Sequence, residues 1–166
     1  IIPDLMSEQL TSLDLSYIVR TPKFKGRLTG FYITDKNTND IGFFYAEGLD
    51  DDDSSGGDDF VAEIVQGLDK LNIGAELGLE YQITSTIKAI GAASYGSYTY
   101  TNNPNVSLSI DARQAAGLNP VVNYGPSYLK NYKQPGTPQQ AYSLGLEYRD
   151  PKFWWIGANA NYLNDI

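Results

Sequence analysis

From Asn72 to Ile83 the chain alternates without error, with Ile73, Ala75, Leu77, Leu79, Tyr81 and Ile83 set against Gly74, Glu76, Gly78, Glu80 and Gln82. Period two predicts a β-strand with one apolar and one polar face. Ala141 to Asp150 repeats the pattern, with Tyr142, Leu144, Leu146 and Tyr148 opposing Ser143, Gly145, Glu147 and Arg149. Leu13 to Arg20 follows nearly as well, and Arg27–Thr34, Ile87–Thr101 and Phe153–Leu163 carry fainter versions. The expectation is about six strands of about ten residues, the length of a tilted membrane strand.

The connections alternate in length. Arg20–Gly26, Thr84–Thr86 and Asp150–Lys152 are short turns, whereas 35–71 and 102–140 are long. Short turns at one end and long loops at the other are characteristic of outer-membrane barrels, with the short ones periplasmic. Within the first long loop, Asp58 as a cap and Phe60, Ile64, Leu68 and Leu71 at helical spacing predict a short helix. Trp154 and Tyr162 share one predicted strand face, and a rise of about 3.3 Å per residue at a tilt near 40° separates them by roughly 20 Å along a membrane normal. Tyr148, Phe153, Trp154, Trp155 and Tyr162 are therefore expected to form an aromatic girdle, with Tyr98 and Tyr100 near the opposite interface. The competing reading is a soluble β-sandwich with an aromatic core.

Composition narrows the chemistry. The chain has 166 residues, 13 Tyr, 16 Gly and one Met, a bias toward strands and turns. Its mean hydropathy of -0.33 argues against spanning helices, but a barrel strand averages lipid-facing and lumen-facing residues to the same value. A net charge of -8 argues against a nucleic-acid partner. With no Cys and no His, thiolate metal sites, cysteine nucleophiles and Ser-His-Asp triads are closed off.

Two constellations remain. Asp51, Asp53 and Asp58 lie in an acidic run resembling a calcium loop, with Gly56 correctly spaced for the bend. Ala62 stands where the bidentate acid belongs and Glu63 is one residue late, so a solvated acidic loop is the stronger expectation. Glu76, Glu80, Glu147 and Arg149 fall on the predicted polar face, where lumen networks explain them better than catalysis does. No enzyme activity and no cofactor are expected. Tyr124, Tyr128 and Tyr132 in the second long loop are candidates for stacking on a ligand.

The last quarter of the chain carries a family resemblance. Gln139–Tyr142, Glu147–Lys152, Trp154-Trp155 and Asn161–Leu163 are similar to the C-terminal barrel region of Bacteroidota TonB-dependent receptors of the carboxypeptidase-like regulatory domain type. Gly67–Leu71 followed by Glu76–Tyr81 also resembles the corresponding loop and strand. The resemblance implies a partial wall, residues 1–166, of a 22-stranded outer-membrane barrel that imports a bulky nutrient. Its plug domain, which would contact TonB, is expected outside this sequence, because about six strands cannot enclose a plugged lumen. The implied partners are the lipid bilayer, TonB, and a surface lipoprotein or other outer-membrane subunits. An accessory barrel subunit without its own transport role uses the same strands. A small soluble barrel for an apolar ligand is the third expectation.

Overall fold

The computed structural model describes residues 6–47 and 59–164 and is all-β, with one short helix among those residues. The elements are β1 (Gln9–Arg20), β2 (Phe24–Ala46), β3 (Asp59–Gln82), β4 (Ile87–Tyr100), β5 (Asn105–Ile110), α1 (Asp111–Ala115), β6 (Val121–Pro126), β7 (Gln140–Arg149) and β8 (Trp155–Asn164). They form one eight-stranded sheet whose main path runs β1-β2-β3-β4-β7-β8, with β5 joined to β3 and β6 to β5. The sheet is not closed, because β1 and β8 end the path without pairing to each other. Six strands in the main path match the number expected, but β2 and β3 run to 23 and 24 residues, more than twice the expected length.

The chain divides into two compact units. The first comprises Ile1–Leu10, Thr34–Lys70 and Tyr100–Tyr132; the second comprises Thr11–Ile33, Leu71–Thr99 and Lys133–Ile166.

The second unit contains the cleanly alternating segments. Neighbouring strands are antiparallel, and β7 pairs with β8 over ten positions from Gln140↔Asn164 to Arg149↔Trp155. Its tight turns are held by side chains that accept from the turn's own backbone. The Thr84 hydroxyl accepts from the N–H groups of Thr86 and Ile87 at 3.2 and 3.0 Å. The Asp150 carboxylate accepts from the Lys152 N–H at 2.7 Å and the Tyr148 hydroxyl at 3.0 Å. Such local bonds stop a strand where the sequence offers Thr or Asp.

Gly74 and Gly96 make room for two aromatic rings in this unit. Phe31 and Tyr98 stack with centroids 6.1 Å apart. A Cβ on Gly74 would sit 2.5 Å from the Tyr95 carbonyl oxygen and 2.8 Å from the Phe31 ring, and one on Gly96 would meet the Tyr98 ring at 2.8 Å. Tyr98, expected near a membrane interface, packs against Phe31. Gly74→Ala is expected to destabilise the chain by about 1–3 kcal/mol, since the nearest obstacle is backbone; equilibrium denaturation in detergent checks it.

The first unit corrects the expectation of loops. Of 35–71, the portions through Ala46 and from Asp59 onward are strand, and the helix expected from Phe60 to Leu71 is part of β3. Val61, Ile64 and Leu68 are buried, a spacing that mimics a helix stripe. In a strand, residues three apart point to opposite faces, so β3 is covered on both sides here and loses its alternation. Val61 pairs with Ile110 and Ile64 with Ser107, all four buried. Residues 102–140, also expected as loop, contain β5, α1 and β6.

Positive φ angles at Asn37 (59°) and Gly67 (68°) break the regular ladder in this unit. Side chains take over the lost bonds. Asp69 accepts from the Asn37 N–H at 3.0 Å, and Asn102 accepts from the Asp69 N–H at 2.9 Å while donating to the Gly67 carbonyl at 2.6 Å. The calcium candidates Asp51, Asp53 and Asp58 lie outside the described residues.

Candidate membrane-facing surface and its opposing polar face

In the second unit the strand register sorts side chains onto two chemically distinct faces. Hydrogen bonds and ion pairs fix which positions share a face: Ser16 bonds Thr29 at 2.9 Å, Lys25 pairs with Glu80 at 2.9 Å, and Lys88 reaches Glu147 at 3.6 Å. Even positions of β1, odd positions of β2, even positions of the unit's part of β3, even positions of β4 and odd positions of β7 and β8 therefore lie together.

The opposite face is apolar and exposed. It presents Leu13, Leu15 and Tyr17 from β1, Tyr81 from β3 with Ile83 just beyond it, Leu144 and Leu146 from β7, and Ile156 and Tyr162 from β8. Leu15 is 79% exposed and Leu144 67%. Isolated exposed leucines are ordinary in soluble proteins, but a whole sheet face of them is not, since monomers rarely expose more than a few hundred Å² of continuous apolar surface.

The polar face carries a chain of charges near the tight turns. Glu80 lies between Lys25 at 2.9 Å and Lys88 at 3.9 Å, and Glu147 lies between Lys88 at 3.6 Å and Arg149 at 3.1 Å. Each pair is partly exposed, so its contribution in water is about 0–1 kcal/mol. Three of the four predicted polar-face residues, Glu80, Glu147 and Arg149, are thus brought together. Glu76 lies farther along β3, where with Arg27, Thr29, Ser94, Ser143 and Asn161 it lines an open concavity of about 740 Å³. There Arg27 donates to Thr29 at 3.1 Å and to Ser16 at 3.2 Å, and Thr29 is buried. Lys25 and Lys88, which complete the charge chain, were not legible as site residues, because one sits beside a turn and the other in a faint strand whose register only pairing reveals.

The expected aromatic girdle divides. Tyr148 and Trp154 touch with centroids 5.3 Å apart, and Tyr142 stacks on Tyr162 at 6.3 Å. Phe153 is 98% exposed at a positive φ of 72°, at the tip of the Asp150 turn. Trp155 pairs with Arg149 and so lies on the charged face, apart from Tyr148 and Trp154. This corrects its place in the girdle: successive strand residues point to opposite faces, so Trp155 shares the face of Arg149 and not that of Ile156 and Tyr162.

In the first unit Tyr124 lies on β6 and Tyr128 and Tyr132 follow it, all exposed. Ring contacts among the described residues include none between them. A second concavity of about 370 Å³ in this unit is lined mainly by asparagines.

Compared with protein-family models, curated proteins and solved structures, the chain matches none.

Proposed function

We propose that this chain is part of the wall of a bacterial outer-membrane β-barrel, and that the barrel is a TonB-dependent receptor importing a bulky nutrient. The observation that carries the membrane reading is the exposed apolar face of the second unit, set back to back with a charged and hydroxyl-lined face. Lipid satisfies the first face and a water-filled or plug-filled lumen the second. The open edges at β1 and β8 support a wall rather than a whole barrel, because unpaired backbone groups in a bilayer cost several kcal/mol each. The transport reading rests on the resemblance between Gln139 and Leu163.

Trp154 supplies the test of the membrane reading. With Trp155→Phe as background, the chain is reconstituted into phosphatidylcholine vesicles containing lipids brominated along their acyl chains. Strong quenching of Trp154 fluorescence is expected, and a chain that stays monomeric in buffer with unquenched Trp154 sinks the reading. For transport, deleting the gene is expected to abolish uptake of one nutrient and leave membrane-protein assembly intact; the reverse result identifies an accessory subunit.

A further inference from the structure

The asparagine-lined concavity of the first unit has a chemistry of its own. Among the described residues six asparagines line it, together with Gln66, Gly67, Met6 and Pro104, and none of these side chains is charged. In a chain where 19% of residues are charged, that neutrality is a property of the place. Several amides are partly committed to the fold. Asn39 accepts from the Gly67 N–H at 3.4 Å, Asn103 from the Lys130 N–H at 3.0 Å, and Asn123 from the Gly125 N–H at 2.6 Å. In Asn103 and Asn123 this uses the carbonyl oxygen, and among the described residues their amide N–H groups have no protein partner.

We infer that this concavity binds a neutral, hydroxyl-rich ligand of the saccharide class. A carboxamide offers an acceptor and two donors side by side, which is what a pair of adjacent sugar hydroxyls requires. A charged ligand would give up its hydration here without meeting an opposite charge. Met6, which is exposed, supplies apolar surface for the C–H face of a sugar ring. The volume of about 370 Å³ falls at the low end of small-ligand pockets, about 300–1,000 Å³. A peptide backbone would pair with the same amides, and β6, paired among the described residues only to β5, keeps one edge open to an added strand, so a peptide is the comparison in the test. The inference does not depend on the membrane reading, since every described lining residue belongs to the first unit.

The test is saturation-transfer NMR on the full chain with maltohexaose, cellohexaose and mannohexaose as probes, and hexaglycine as the peptide comparison. Asn103→Asp combined with Asn123→Asp keeps the two accepted backbone bonds and removes the amide donors. Saturation transfer to at least one neutral sugar is expected, weakened tenfold or more in the double variant, with unchanged circular dichroism. The inference is overturned if no sugar shows transfer, if the double variant binds as well as the parent, or if hexaglycine alone responds. Trp154 quenching reports the membrane reading separately, so either can fail alone.

Discussion

Leu144→Arg is expected to prevent stable insertion of the chain into vesicles, while Ser143→Arg, one residue away, leaves insertion intact. Leu144 sits at the middle of β7, paired with Gly91 and Ala160, on the apolar face. An arginine at the midplane of a barrel's lipid-facing surface costs about 2–4 kcal/mol, a large share of any marginal stability. Ser143 points to the polar face beside Asn161, where a charge meets polar neighbours. The urea midpoint of each variant in vesicles measures the difference. For a soluble sheet the order would reverse, because an exposed leucine replaced by arginine improves solubility and costs nothing in the fold.

A second large effect belongs to the first unit. Ile110→Ala is expected to destabilise that unit by about 2–5 kcal/mol, the usual range for emptying a fully buried branched side chain. Ile110 is 1% exposed and pairs with Val61, itself fully buried, and Ile64 and Leu68 are buried in the same unit. Amide exchange should accelerate at 61–66, 105–110 and 121–126, while β7 and β8 in the second unit keep their protection. Equal acceleration throughout would mean that the two units unfold together.

These two variants mark the boundary of what the sequence made legible. β7 could be read from its residues because one of its faces is polar and the other apolar, so alternation survives along its whole length. The same rule failed from Phe60 to Leu71, because Val61 and Ile64 are buried on opposite sides of β3 and their spacing imitates a helix. Asn37 and Gly67, whose positive φ angles reset the ladder, carry no signal that distinguishes them from turn residues. Trp154 and Trp155 were grouped by adjacency, whereas the Asp150 turn sends only Trp155 opposite Arg149. Glu80, Glu147 and Arg149 were found by parity alone. Lys25 and Lys88 required knowledge of which strands are neighbours, and the asparagine concavity required the fold of residues expected to be loop.

The most direct measurement is a nitroxide scan along β7 in phosphatidylcholine vesicles, with one label at each position from Tyr142 to Tyr148. Accessibility to oxygen, which concentrates in lipid, should peak at 142, 144, 146 and 148, and accessibility to a water-soluble nickel chelate at 143, 145 and 147. Uniform access by the nickel chelate at all seven positions would contradict a lipid-facing sheet.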